Sequence, residues 1–410
     1  MNIKAADQKA MERIAPAIEQ AEQIAFSTTE RVLNAFREER VSESHFAGST
    51  GYGYGDRGRD TLDKVFAHAL EAEDCLVRPQ FISGTHTLNV ALFGVLRTND
   101  IMLSVTGKPY DTLDEVIGLG ENTGEGSLKE FGIGYRQLDL KDGAIDYNAL
   151  EEALKDPAVR MVFLQKSKGY QDRPTLSSEE IGKVAEFTHS LRKDVVVMVD
   201  NCYGEFCEEH EPTYYGADLM AGSLIKNAGG GLAPTGGYIA GRADLVEKCA
   251  CRLTSPGIGR ESGCTLNVLR ELYQGLFLAP HTVLQAKKTA MYAAAMCEEL
   301  GCPTAPSPTD PRYDIIQTIT LQTPERMLAF CKGIQSGSPV DSFVTPAPWE
   351  MPGYDAPVVM AAGAFVMGAS IELSADGPMK PPYIVFLQGG LTFESGRLGI
   401  LRAIEEMNDD

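Results

Sequence analysis

One tryptophan and six histidines occur in a chain of 410 residues, and lysine plus arginine (37) fall well short of aspartate plus glutamate (57). The formal charge of -20 argues against nucleic acid or an anionic membrane surface as the main partner, because both select a basic face. No run of about 18 apolar residues occurs, so no membrane-spanning helix is expected. The opening stretch "MNIKAADQKAMERIAPAIEQ" has no apolar centre of the signal-peptide kind, which makes a cytoplasmic location the expectation. The nine cysteines (Cys75, Cys202, Cys207, Cys249, Cys251, Cys264, Cys297, Cys302 and Cys331) are odd in number. They lack the paired C-x-x-C spacing of a structural zinc site, so they read as reduced thiols and no metal is expected.

With 43% hydrophobic residues the chain can bury a sizeable core, and its length exceeds what one core usually serves. Residues 1 to about 45 place Ile14, Ile18, Ala21, Ile24 and Ala25, then Val32, Leu33 and Phe36, at helical spacing. This predicts two amphipathic helices. From about 60 to 280, helical stretches alternate with short runs such as "DVVVMVD" that are apolar on both faces, the pattern of an α/β fold with a mainly parallel, helix-covered sheet. Beyond about 285, strand-like segments ("DIIQTITLQT", "APVVMAAG", "ASIELSADG", "YIVFLQGG") predict a smaller α+β domain. The expected organisation is an N-terminal helical segment and arm over 1–55, a large α/β domain over 56–284 and a small domain over 285–410.

The stretch "GSLIKNAGGG" sets Lys226 among small and aliphatic residues, where a long cation is neither solvated nor obviously paired. Upstream, Asp200 ends the apolar run "VVVMVD", and carboxylates at strand C-termini sit where α/β sheets bind ligands. Alone, Asp200 could equally be a turn residue. Together, an Asp at one strand end and a Lys on the following loop are what pyridoxal phosphate chemistry needs. The lysine anchors the cofactor aldehyde and the carboxylate keeps the pyridine nitrogen protonated. An apolar pocket beside a cationic ring nitrogen would lower the pKa of Lys226 and make its amine available. The turn Ser83-Gly84-Thr85-His86 precedes a helical run and would present free amides to a phosphate. His86 is either a helix-start histidine without a ligand or a ring that stacks on the cofactor. The literal Gly53-x-Gly55-x-x-Gly58 pattern fails as a dinucleotide fingerprint, because no strand precedes it and no acidic residue follows at the required place.

With "SGTH", "PYDTL", "VDNCYGEF" and "SLIKNAGGG" in order, the chain resembles the fold-type I pyridoxal-phosphate enzymes of cysteine and methionine metabolism. The stretches "GYGYGDRGRDTL", "RLTSPGIGRESG", "LYQGLFLAPH", "GASIELSADGP" and "PPYIVFLQGGLTFE" narrow the resemblance to the methionine γ-lyase-like carbon–sulfur lyases linked to aluminium resistance. It implies that Lys226 binds the cofactor covalently and Asp200 partners the pyridinium. It also implies that Gly84 and Thr85, in the turn that Ser83 opens, offer amides to the phosphate, with Ser223 adding its hydroxyl and Ser83 counted among the cofactor-binding candidates. Tyr110 matches a tyrosine that stacks on the ring and assists proton transfer to the leaving group. Tyr54 and Arg57 match a pair that reaches the phosphate from a neighbouring subunit, so the active unit would be a dimer with shared sites, assembled into a tetramer.

One departure concerns the substrate carboxylate. Where better-known relatives carry a clamping arginine, "ASIELSADG" has Glu372, and a carboxylate cannot hold another carboxylate at neutral pH. Lys380, Arg260 and Lys168 are the alternatives. The reaction implied is γ- or β-elimination from a sulfur amino acid such as methionine, cystathionine or cysteine. Replacement at the γ-carbon, transamination and a non-catalytic cofactor-binding role remain open.

Overall fold

The computed structural model describes residues 2–120, 125–171, 173–350 and 356–409. Helix α1 (Ile3–Glu38) is continuous where two helices are predicted from the sequence. The Ser27-Thr28-Thr29 run does not break it, because the three hydroxyls donate to the carbonyls of Gln23, Ile24 and Ala25 one turn back (3.3, 2.9 and 2.6 Å), a local bond that a helix tolerates. Its buried stripe is mostly alanine (Ala6, Ala10, Ala17, Ala21, Ala25).

The large sheet is built with interleaved helices. In chain order these elements are α2 (Arg57–Ala69), β1 (Asp74–Arg78), α3 (Gly84–Val95), β2 (Ile101–Ser104), α4 (Asp114–Ile117), β3 (Gly134–Gln137), α5 (Tyr147–Leu154), β4 (Val159–Gln165), α6 (Ser178–Leu191), β5 (Val196–Asp200), β6 (Leu219–Ser223), β7 (Gly237–Gly241) and α7 (Ala243–Leu253). The strand order is β1-β7-β6-β5-β4-β2-β3. The run from β6 to β3 is parallel, and β7 is antiparallel to both of its neighbours. Successive residues feed opposite cores, as strand geometry requires. Val162, Leu164, Val197 and Val199 pack on one face. Met161, Phe163, Val196 and Met198 pack on the other. Full burial of such side chains contributes roughly 1.5–3 kcal/mol each.

Helix α8 (Leu269–Glu299) follows and runs across residue 284, where the sequence suggests a boundary. Beyond it come β8 (Thr304–Ala305), β9 (Gln317–Thr320), α9 (Pro324–Ser336), β10 (Val358–Ala362), β11 (Ser374–Pro378), β12 (Ile384–Gln388) and α10 (Phe393–Asp409). The second sheet, in the order β10-β11-β12-β9-β8, is antiparallel throughout. Ala361, Ala375, Val385 and Leu387 on one of its faces join α9, α10 and the alanine stripe of α1 in a separate core. Among the described residues, no helix is long and apolar enough to cross a membrane.

Candidate active site

Parallel strands β4, β5 and β6 end together at Gln165, Asp200 and Ser223, and the backbone beyond them cannot continue the sheet. After Asp200 the chain turns through Tyr203 at φ +72°, a conformation that is unusual for a bulky side chain and common at functional sites. After Ser223 it turns through Lys226 into a short helical turn that ends at Gly230 (φ +57°). A Cβ on Gly230 would lie 2.2 Å from the Gly275 carbonyl oxygen of α8. The glycines of "GGG" therefore let this loop sit directly on α8. Asn227 fastens the two loops to each other, its amide donating to the carbonyls of Tyr203 (2.9 Å) and Glu205 (3.1 Å).

Held this way, the Lys226 Nζ stands 4.0 Å from the centre of the Tyr203 ring. Asp200 is buried and accepts a hydrogen bond from the Cys202 amide at 3.1 Å. Burial pushes the Asp200 carboxyl above its ordinary value, opposed by the Lys226 charge and the Cys202 amide. The sequence expectation for Lys226 concerns a pocket that holds a cationic ring nitrogen, and the chain by itself gives the opposite direction. Burial acts to lower its pKa and the neighbouring Cys202, Tyr203 and Asp200 act to raise it, with a net upward direction in the chain alone; of the three, Asp200 is the carboxyl able to carry charge near neutral pH. An apolar setting frees a lysine only when no negative partner shares the pocket.

Helix α3 begins at the same place. Ser83 is its N-cap and accepts from the His86 amide at 3.0 Å, which leaves the first amides of the helix, at Gly84 and Thr85, facing out of its positive end. Ser223 lies across from them: a Cβ on Gly84 would approach the Ser223 Cβ to 3.5 Å. The Ser223 hydroxyl is buried and has no hydrogen-bond partner among the described residues, an unsatisfied group of the kind that folded proteins avoid unless a ligand completes it. Two outward amides and an orphan hydroxyl around a glycine-lined gap fit a phosphate. The buried carboxyl of Asp200 fits a cationic ring nitrogen. The residues present therefore fit pyridoxal phosphate.

A cavity of about 100 Å³ joins these groups, lined by Gly84, Thr85, Tyr110, Asp200, Tyr203 and Lys226 among others. Tyr110, Thr112 and Tyr203 also line a larger cavity of about 270 Å³ that is bounded on one side by the second sheet. A third, of about 340 Å³, shares Tyr110 and Gln165 with the first and is lined by Lys108, Lys168 and Lys380. Of the residues singled out from the sequence, Gly84, Thr85, Tyr110, Asp200, Ser223 and Lys226 come together. His86 does not line the Lys226 cavity. Its Nδ1 faces the Ile82 amide, its ring meets Phe81 edge-on, and burial lowers its pKa. Tyr54 and Arg57 are exposed and line none of these three cavities. Arg260 is tied to Asp74 and Glu247. Glu372 accepts from the amides of Phe365 and Val366 (2.8 and 2.9 Å), so its carboxylate shapes the loop beside the larger cavity. Sequence reasoning missed Tyr203, although the aromatic in "NCYGEF" directly after the strand-end Asp was a usable signal. It also missed Ser374, Asp376 and Gln388 of the second sheet, for which no sequence signal was available.

The fold is that of the fold-type I pyridoxal-phosphate enzymes. A pyridoxal-5'-phosphate-dependent protein of Escherichia coli, YhfS, superposes with a TM-score of 0.63 over 96% of this chain and 97% of its own, at 16% identity. Residues 3–408 match the methionine gamma-lyase family, and the chain belongs to that family. It is 51% identical to the uncharacterized protein YnbB of Bacillus subtilis over 96% of this chain and 94% of that one. The solved structure of a carbon-sulfur lyase involved in aluminum resistance from Clostridium novyi matches with a TM-score of 0.95 at 51% identity, covering 98% of this chain and 95% of the other.

Proposed function

We propose that the protein is a pyridoxal-phosphate-dependent carbon–sulfur lyase, eliminating a sulfur leaving group from the side chain of an L-amino acid to give a 2-oxo acid, ammonia and a thiol. The observation that carries this reading is the orphan Ser223 hydroxyl facing the start of α3 beside the buried Asp200 and Lys226. Gly84, Thr85 and Ser223 would hold the phosphate, Asp200 the ring nitrogen, Tyr110 the ring face and Lys226 the aldehyde carbon. When bound, the cofactor supplies an electron sink for the charge left at the substrate Cα.

The remaining chemistry belongs to the chain. Asp200 keeps a proton on the ring nitrogen. Because that pairing takes up the Asp200 charge, it removes part of what holds Lys226 protonated and leaves its amine able to take the proton from the substrate Cα. The Tyr110 phenol, shared by all three cavities, supplies a proton to the departing sulfur. Positioned acid–base groups of this kind contribute about 10²–10⁴-fold each. Lys168 and Lys380, one from each sheet's side of the third cavity, take the substrate carboxylate in place of an arginine. Tyr54 and Arg57, exposed in one chain, complete the phosphate site of a second copy, so the active unit is at least a dimer and works in the cytoplasm.

The test is the visible spectrum of the purified protein before and after borohydride, with mapping of the modified peptide and assay of 2-oxo acid and ammonia. A yellow band that disappears as a pyridoxyl label appears on Lys226, together with ammonia release from a thioether amino acid, is the expected result. A protein that stays colourless and unlabelled after incubation with pyridoxal phosphate refutes the cofactor. A labelled protein that releases no ammonia refutes the lyase.

A further inference from the structure

The second sheet has two unlike faces. Side chains alternate along its strands, so while Ala361, Ala375, Val385 and Leu387 enter the apolar core, Met360, Ser374, Asp376, Phe386 and Gln388 turn the other way and line the larger cavity. Register sets the polar members side by side: Ser374 is paired with Gln388, and Asp376 with Phe386, across β11 and β12. Ser374, Asp376 and Gln388 are each more than nine-tenths buried. Gln388 donates its amide to Asp376 Oδ1 at 2.9 Å, and the Ser374 hydroxyl has no partner among the described residues.

We infer that Ser374, Asp376 and Gln388 form a subsite for a terminal ammonium on the leaving group, so that the preferred substrate is a thioether amino acid whose departing thiol carries its own amine. Among the described residues lining this cavity there is no lysine, arginine or histidine, and Asp376 is the one carboxyl. The rest of the wall is largely apolar. Burial without a cation pushes the Asp376 carboxyl up to about 7. An ammonium brought by the substrate would restore the carboxylate and complete the Ser374 hydroxyl, exchanging a desolvated acid for a hydrogen-bonded ion pair. The cavity meets the Lys226 cavity at Tyr110, Thr112 and Tyr203, so a side chain whose Cα is held near Lys226 reaches the subsite past the phenol proposed to protonate sulfur. This inference rests on the lyase reading for the direction in which the side chain points.

The experiment compares S-(3-aminopropyl)-L-cysteine with its near-isostere S-butyl-L-cysteine on the holoenzyme, following pyruvate. Wild type is expected to favour the amine by about 10–100-fold in kcat/KM, the worth of one charged hydrogen-bonded contact. Asp376→Asn should bring that ratio to within about threefold, and Ser374→Ala should reduce it partly. Equal or reversed ratios in wild type overturn the inference, and so does a preference that survives Asp376→Asn. S-(3-carboxypropyl)-L-cysteine serves as the opposite-charge control: if it is the favoured compound, Asp376 acts as a neutral donor and the ammonium assignment is wrong. Should wild type form pyruvate from none of them, β-elimination is refuted and γ-elimination is left as the lyase reaction. Calorimetric Kd values of the first two compounds on the holoenzyme then decide the subsite by the same ratio.

Discussion

Replacing Asp376 with asparagine removes one titratable group from the larger cavity while keeping an acceptor for the Gln388 amide. Between the ordinary value of 3.8 and about 7, the native carboxyl keeps a proton that the unfolded chain has already released. Stability therefore falls as pH rises through that window, by about 1.4 kcal/mol per pH unit, and about 4 kcal/mol is lost by pH 8. Asp376→Asn carries no such slope. The other titratable groups on this cavity, the phenols of Tyr110, Tyr170 and Tyr203, are common to both proteins, so the difference between them isolates Asp376. From pH 5 to pH 8 the variant should gain about 3 kcal/mol relative to wild type, which for a chain of this length is about 3 °C in Tm. Scanning fluorimetry or calorimetry at pH 5, 6, 7 and 8 measures it. Parallel Tm curves for the two proteins would show that Asp376 is ionised in the native state throughout, and would refute the claim that no cation faces it.

Four other perturbations probe the site. Asp200→Asn should lower kcat by about 10²–10⁴-fold with cofactor still bound, because the ring nitrogen loses its ionic partner; unchanged turnover would assign that nitrogen elsewhere. Ser223→Ala removes one hydrogen bond to a charged phosphate, worth about 1.5–3 kcal/mol, so cofactor should dissociate about 10–100-fold more readily on dialysis. Gly275→Ala would put a methyl 2.3 Å from the Gly229 carbonyl oxygen; a loss of about 1–3 kcal/mol in urea unfolding is expected, with slower turnover as the Lys226 loop shifts. Mixing Arg57→Ala with Lys226→Ala protein should recover activity in hybrids if sites are shared between subunits, and no recovery after confirmed subunit exchange counts against the shared arrangement.

Periodicity and end signals made much of the fold legible. The doubly apolar, β-branched run at 195–199 reads as a buried strand and overlaps β5, and the strand-like segments after 285 all appear in the second sheet. The continuous α1 was not legible, because a Ser-Thr-Thr run looks the same whether its hydroxyls bond back within the helix or compete with it. Asp200 and Lys226 were visible as a pair because their chemistry depends on residue type and on position after a strand, both of which are linear properties of the chain. The charge state of Lys226 was not visible, since it depends on how closely Cys202, Tyr203 and Asp200 are brought to it by folding.

What the sequence determined by itself is therefore most of the succession of elements, the position of Asp200 at a strand end and of Lys226 on a loop beyond a strand, which carry the proposed cofactor site, and the glycine turn at the start of α3. Tertiary structure alone decided which groups share a cavity. It set Ser223 opposite Gly84, separated Arg260 from the site while leaving Lys168 and Lys380 on one wall, and turned Asp376 into a cavity whose described lining residues include no cation. The physical reason is that sequence spacing fixes which face of a helix or strand a side chain occupies, whereas its burial and its neighbours depend on how separate elements pack, and desolvation and charge pairing act over those through-space distances.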